Sequence, residues 1–531
     1  MHPFGDCTAL RHRRSAHAFA LVSVFLLTSC APADPTGTFE GLEAPRVSGR
    51  HPWGPAPAFF VSPAGSPSGD GSFDNPWDLA TALDAPAGVT PGSTIWLRGG
   101  TYANGPHFGH GYLSNLVGTA EAPIVVRQYP GERATVTKFL VIRGGYTWYW
   151  GFEVVHPAPQ AGVAFGIDLG GPGTKLINLV VHDASASGIY VRPEAGDAEV
   201  YGAIVYNNGR TDRFDHGVYC RSQTSLLLQD NIVFDNWAYG IHCFAREEGA
   251  YLQNITLEGN VAFNNYVWGV PGADLLVGGH VPASGIIINN NYTYRTSFTN
   301  TMAAEIGHGA WTNQDLVFTN NYSVGGWWYV GDWVTAKVSG NTLYNFTTGG
   351  MVWSIGNVRG HTWSDNTFFG DSTAQAWRHN DSSVTAFSDW RARTGFADPG
   401  RYAGSTPTGL KVAVHPNRYQ PGRANIIVYN WALKGSVSVD PSGILDLGDR
   451  YAVRHAQDFY GTPIASGVYT GGPLELPMVS IDPPTPLGVV LTGPAPTTGP
   501  IFNVFVLTRA ARPAAPYPGG AGPQGARWRR K

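Results

Sequence analysis

Between residues 151 and 369 the chain repeats one short pattern, a small polar residue followed by three or four apolar or alternating positions. It appears as Gly151-Phe-Glu-Val-Val, Asn178-Leu-Val-Val, Gly202-Ala-Ile-Val-Tyr, Asn231-Ile-Val-Phe and Asn260-Val-Ala-Phe. It continues as Asn291-Tyr-Thr-Tyr, Asn321-Tyr-Ser-Val, Asn341-Thr-Leu-Tyr and Asn366-Thr-Phe-Phe, with successive copies starting 20 to 31 residues apart. Each unit holds short β-rich runs broken by Asn and Gly, without a helical period. One such unit cannot bury its own apolar face, so the units must stack.

Several units carry a second run: Gly166-Ile-Asp-Leu, Gly188-Ile-Tyr-Val-Arg, Gly217-Val-Tyr-Cys-Arg and Gly240-Ile-His-Cys-Phe. Strand side chains alternate between faces. Aligned on the glycine, Ile167, Ile189, Val218 and Ile241 point inward, as do Leu169, Val191, Cys220 and Cys243. Asp168, Tyr190, Tyr219 and His242 then stack outward, and Arg192 and Arg221 form a parallel column. From the leading residue to this glycine the separations are 10, 15, 9 and 9, the last taken to Gly269. The second coil therefore holds an insertion of five or six residues within 209–216, which carries Asp212, Arg213, Asp215 and His216 to the edge of the outward column. Cys220 and Cys243 occupy equivalent inward positions of adjacent coils, as a disulfide or as two buried thiols. Two inward ligands do not make a zinc site.

Composition narrows the class. Of 531 residues only 14% are charged, 68 are Gly and 39 Pro, 17 are Trp, and the net charge is −3. That excludes a coiled coil, and it shows none of the basic excess of a nucleic-acid binder. A 43% hydrophobic content excludes wholesale disorder. An all-β, turn-rich protein remains. Residues 405–510 change character: Leu410–Val414, Asn425–Tyr429, Ser436–Val439, Tyr451–Arg454 and Phe502–Val506 are short strands between Gly/Pro turns, predicting an antiparallel β-sandwich. Residues 511–531 form a basic tail with Arg527, Arg529, Arg530 and Lys531.

At the N-terminus Arg11, Arg13 and Arg14 precede an apolar run, Ala18–Leu27, too short to span a bilayer. The run ends in Leu27-Thr28-Ser29-Cys30, which resembles a bacterial lipobox. The resemblance implies a leader over 1–29, cleavage before Cys30, lipidation of its thiol, and a tether over 30–57. The protein is then expected exported and anchored to the cell envelope, at the outer membrane or cell surface.

Stacked coils with recurrent Asn at one corner resemble right-handed parallel β-helices, because Asn tolerates the left-handed corner and its amide can bond the Asn above it. Phe60-Val61-Ser62-Pro63, Pro76-Trp77-Asp78-Leu79 and Ser93-Thr-Ile-Trp-Leu-Arg-Gly-Gly-Thr-Tyr102 resemble the opening of secreted pectate-lyase-type proteins, and Asp389-Trp390-Arg391 resembles their exit. The resemblance covers residues 58–400. It implies a right-handed parallel β-helix followed by the sandwich, acting as a monomer on extracellular polysaccharide. The calcium-binding aspartate cluster with adjacent arginine of the best-known pectate lyases is not found, nor is the Asp-Pro-His-Glu run of alginate epimerases.

A filled solenoid offers chemistry only on its surface, and the 209–216 insertion at the edge of the outward column is the densest ionisable cluster. It suits β-elimination on a uronate, which requires a neutralised carboxylate, a base at C5 and a proton for the leaving oxygen. Arg192 or Arg221 is a candidate for the carboxylate, His216 or His242 for the base, Tyr219 for the acid and Asp215 for orienting a histidine. Asp168, Tyr190, Arg192, Asp212, Arg213 and Trp237 are candidate substrate contacts. Glycoside hydrolysis is the alternative, with Asp212 and Asp215, or Asp168 and a neighbour, or Glu305 as its carboxylates. A non-catalytic glycan-binding or adhesion protein is the third. His280, His308 and His361 are assigned to structural or surface roles. No cofactor is required by the pattern; Asp70 and Asp74 are a candidate Ca²⁺ pair beside a simpler role as turn residues.

Overall fold

The computed structural model describes residues 57–510, except 104, 157–163, 211–213, 247–250, 268–271, 296–301, 310, 347–349, 371–375 and 488–495. The leader, Cys30, the tether up to residue 56, Asp212, Arg213, Gly269 and the basic tail lie outside the described residues. No helix among the described residues is long and apolar enough to cross a membrane.

The chain winds into a right-handed parallel β-helix in which the coils feed three long sheets in turn. Sheet I runs from Ala58–Val61 to His361–Ser364, sheet II from Tyr112–Ser114 to Trp377–His379, and sheet III from Gly100–Tyr102 to Gly400–Ala403. Inward side chains such as Ile167, Ile189, Ile241, Val181, Val205 and Val233 fill one continuous core. Both ends of that core are closed. Asp78 caps the helix Leu79–Leu83 by accepting the Thr81 N–H at 2.7 Å, and Leu79, Ala82 and Leu83 seal the first coil. The helix Phe387–Thr394 seals the last coil with fully buried Trp390, which packs on Trp363, Trp377 and Phe396.

The asparagine pattern resolves into two neighbouring rows rather than one. Asn231, Asn260, Asn291, Asn321, Asn341 and Asn366 form an amide ladder in which each Nδ2 donates to the Oδ1 of the next at 2.9–3.0 Å. The first three copies of the pattern, Gly151, Asn178 and Gly202, belong to the row one residue earlier. There φ is positive, as it is at Asp230, Gly259, Asn290, Asn320, Gly340 and Asp365. The register confirms the offset: Val180 pairs with Ile204, and Ile204 with Ile232, so Leu179 and Ala203 stand where Asn231 stands. A second ladder, Asn208 to Asn236 to Asn265, closes the other end of the sheet III strands at 3.0 and 2.9 Å. Asp183, Asn207, Asp235 and Asn264 precede its corner with positive φ.

The C-terminal strands Lys411–Pro416, Arg423–Tyr429, Phe502–Arg509, Arg450–His455 and Ala465–Val468 form a five-stranded antiparallel sheet. Ser436–Val439 and Leu474–Pro477 pair separately and cover one of its faces. Its other face, through Ile427, Tyr429, Phe502, Val504 and Val506, packs on the outer side of sheet III. There His182, Tyr206, Phe234 and Phe263 stack with ring centroids 4.6, 5.1 and 5.0 Å apart. Both faces of Arg423–Tyr429 are therefore buried, which accounts for the apolar run Ile426–Tyr429 within it.

The same junction buries charge. His182 bonds Asp183 through Nδ1 at 2.5 Å and Glu153 through Nε2 at 2.8 Å, and Arg133 reaches Glu153 at 2.6 Å. Burial alone would depress the His182 pKa, but the two carboxylates outweigh it and raise it. Burial opposes His182 and Arg133 at Glu153 and loses, leaving it at about 2. The protonated His182 thus contributes stability that is complete below its unfolded value near 6.5 and is lost as pH rises through the raised folded value. Thermal unfolding followed against pH should show this alkaline loss in the wild type and not in His182→Ala. That variant, which leaves buried Asp183 without its cation and Glu153 with Arg133 alone, should be less stable at pH 6 by about 3–5 kcal/mol.

Candidate functional site on the second sheet

Strand register sets one outward column along sheet II. Asp168, Tyr190, Tyr219 and His242 are successive partners, followed by Leu276, Glu305, Tyr329, Trp353 and Arg378. Tyr190 and Tyr219 stack at 5.1 Å, and Tyr219 and His242 at 5.6 Å. The column faces outward yet much of it is covered: Asp168, Tyr190 and His242 are buried, and Tyr219 is half-buried.

The cover comes from residues just before the aligned glycines. Phe165, Ser187, His216 and Tyr239 each precede one, and backbone bonds from Gly166 to Ser187, Gly188 to His216 and Gly217 to Tyr239 align them. Phe165 lies 4.8 Å from Tyr190, and Tyr239 stacks on His242 at 4.3 Å. Phe165 and Tyr239 are absent from the sequence-based candidates, although the glycine alignment that found His216 marks them as well. The next coil puts Asp274, not Gly269, beside Gly240, since Ile241 pairs with Leu275. This coil is thus also longer between its sheet III and sheet II strands.

His216 and His242 form a buried pair, His242 Nδ1 to His216 Nε2 at 2.7 Å. Burial pushes the His216 pKa down to about 3, and burial with the neighbouring His216 and His308 pushes His242 well below its ordinary value, so both rings are neutral near pH 7. The Tyr239 N–H donates to His216 Nδ1 at 3.3 Å. A neutral His216 then carries its proton on Nε2 and donates it to His242 Nδ1, leaving the proton of His242 on Nε2. Neither ring keeps a lone pair for a substrate proton, which disfavours both as the base. Asp215 does not orient His216 either: the ring nitrogens of that histidine are taken by Tyr239 and His242, and an Asp215 carboxylate oxygen accepts the Arg210 N–H at 3.1 Å. Trp237 is buried at 8% exposure and presents no platform for a sugar.

The arginines divide sharply. Arg192 bonds both oxygens of Asp168, at 2.5 and 2.9 Å, and Arg143 adds a third bond at 2.8 Å. Burial would raise the Asp168 pKa, but the two guanidinium groups hold it below the carboxylate range. Arg192 is therefore already committed. Arg221 has no carboxylate partner among the described residues. It donates to the Tyr190 hydroxyl, lies 5.6 and 5.7 Å from the Tyr190 and Tyr219 ring centroids, and its Nε is buried without an acceptor.

Cys220 and Cys243, register partners beneath this column, are disulfide-bonded with Cα atoms 4.4 Å apart. Asp168 and Glu305 are separated by five coils, about 24 Å at about 4.8 Å per coil, so they cannot serve as the two carboxylates of a glycosidase. Glu305 bonds His308, whose pKa it raises. His280 packs on Phe244 at 5.5 Å. Asp70 accepts the Ser72 N–H at 2.9 Å as a turn residue. No group of three or more His, Cys, Asp or Glu poised for a metal occurs among the described residues.

The family described as the right-handed β-helix region matches residues 161–343. Pectate lyase PEL9 of Emericella nidulans is 40% identical over 82 residues, 14% of this chain and 17% of that protein, so the match spans about a sixth of the relative's length. Among solved structures, pectate lyase Pel9A is similar at 18% identity over 66% of this chain and 87% of its own, with a TM-score of 0.39. The lacto-N-biosidase of Eubacterium ramulus is similar at 13% identity over 65% and 66%, with a TM-score of 0.43. The family match and the coil topology agree on a right-handed β-helix, and the names of these relatives describe their own chemistry.

Proposed function

We propose that the protein is a polysaccharide lyase that cleaves a uronate-containing glycan by β-elimination on the outer face of sheet II. The observation that carries this reading is Arg221, a cation without a carboxylate partner among the described residues, set on a tyrosine stack, beside two arginines already paired with Asp168. A uronate carboxylate supplies the missing anion, and pairing it with a guanidinium stabilises the enolate-like transition state. Tyr219 is the accessible proton carrier: as a phenolate it takes the proton from C5, the C4–O4 bond breaks as the C4–C5 double bond forms, and the Tyr219 hydroxyl returns that proton to the leaving O4, restoring the phenolate. His242 contributes an N–H donor rather than a base. The pectate lyase named among the relatives fits this reading. Export with a lipid on Cys30 belongs to it too, since it would hold the enzyme where extracellular glycans are met.

Polygalacturonate, alginate, rhamnogalacturonan and neutral glycans should be incubated with the full mature chain, with Ca²⁺ supplied and with chelator. The expected result is a new ultraviolet absorbance from unsaturated ends, with new reducing ends, on an acidic glycan only. Reducing ends without absorbance would replace the lyase by a hydrolase, and neither signal would leave a binding protein.

A further inference from the structure

The outward column does not stop at the histidine pair. Beyond Glu305 it continues through Tyr329, Trp353 and Arg378 on the last parallel coils. Trp327 lies two residues before Tyr329 on the same strand, and the buried Trp328 between them places both on the outer face. The Trp327 and Trp353 rings are nearly parallel, 29° apart with centroids at 6.2 Å, and Tyr329 meets Trp353 edge-on at 5.4 Å. Arg378 holds its guanidinium carbon 5.3 Å from the Trp353 ring centroid. Trp327, Met351, Trp353 and Arg378 line a shallow surface hollow. Arg378 is exposed and has no carboxylate partner among the described residues, and the Trp327 indole N–H has no acceptor.

We infer that this hollow is a distal subsite for the same acidic glycan, gripping sugars well away from the bond that breaks. Aromatic faces suit pyranose rings, and an unpaired arginine beside them suits a uronate carboxylate. The occupant follows from continuity, because the hollow belongs to the register column that carries Tyr219 and stands five coils along it. That is about 24 Å at about 4.8 Å per coil, several sugars of one extended chain. Glu305, the one carboxylate on the column between the two places, is paired with His308 and so does not present a bare like charge to the chain. The inference rests on the lyase reading for its substrate class, but its test does not need turnover.

Native gels cast with polygalacturonate or with alginate should retard the wild-type protein in one of them, and Trp353→Ala and Arg378→Gln should each lose most of that retardation. Arg378 is exposed, so Arg378→Gln keeps the test open should Trp353→Ala fold poorly. In kinetics on size-defined uronate oligomers, the octamer-to-trimer ratio of kcat/KM should fall about tenfold in both variants. Unaltered retardation in both variants, a wild type retarded by neither gel, or an equal change on trimer and octamer would overturn the subsite. Retardation lost in the variants without any unsaturated product from the wild type would keep the subsite and remove the lyase.

Discussion

Arg221→Ala should reduce lyase turnover by about 10²–10³, the range for removing one preorganised donor from a developing negative charge. The loss should fall mainly on kcat, because the carboxylate gains charge density as the C5 proton leaves and the pairing is strongest then. Arg221→Lys should recover part of the activity: it restores the charge but not the planar two-pronged contact. Arg192→Ala is the informative control. It leaves Asp168 with Arg143 alone, so its effect should be smaller and should appear as lower thermal stability. Initial rates of ultraviolet-absorbing product, with unfolding curves for each variant, check the prediction. Turnover within twofold of wild type in Arg221→Ala, with abolition in Arg192→Ala, would move the carboxylate contact to the other guanidinium and end the assignment made here.

That contrast between two arginines was not legible in the chain. Arg192 and Arg221 occupy the same place in consecutive coils, one residue after Val191 and Cys220, and nothing local separates them. What separates them is the coil before, where Arg192 meets Asp168 and Arg221 meets Tyr190, and the further partner of Asp168, Arg143, follows Ile142 in an earlier coil whose strand does not begin with the glycine used for alignment. The register itself was legible, because period-2 alternation around Gly166, Gly188, Gly217 and Gly240 admits one pairing that buries Ile167, Ile189, Val218 and Ile241. The burial of His216 and His242 was harder to see, since it depends on Tyr239 folding over the column from the preceding turn. The docking of the C-terminal sheet left a trace: runs such as Asn231-Ile-Val-Phe are apolar on both faces, the signature of a strand covered on both sides. The double asparagine row left less, because Gly, Asn and Asp all satisfy the left-handed corner whereas only Asn extends the amide ladder, and two adjacent columns of similar composition merge when read along the chain.

The two rows make opposite predictions for one residue type. Asn291, in the middle of the ladder, accepts through Oδ1 from the Asn260 N–H and amide at 3.0 and 2.9 Å. Its Nδ2 donates to Leu257 O, Asn289 O and Asn321 Oδ1 at 2.9, 3.1 and 3.0 Å. All of this is buried, with Asn291 at 1% exposure. Asn291→Ala strands donors and acceptors on the coils above and below, each costing about 1–3 kcal/mol when unpaired, so a total loss of about 3–5 kcal/mol is expected after relaxation. Asn291→Asp should be no better, since a carboxylate cannot donate to Leu257 O and would face it across the core's edge. Asn178 sits in the left-handed row, and its amide meets Asn417 and Gln420 of the C-terminal region instead. Asn178→Gly keeps the positive φ and should lose only about 1 kcal/mol. Denaturant unfolding of the three variants separates the possibilities. In a stack where each coil touches only its neighbours, a broken amide contact at Asn291 weakens both adjoining interfaces, and the transition should broaden as well as shift. Equal losses at Asn178 and Asn291 would mean that the corner conformation, and not the amide row, holds the coils in register.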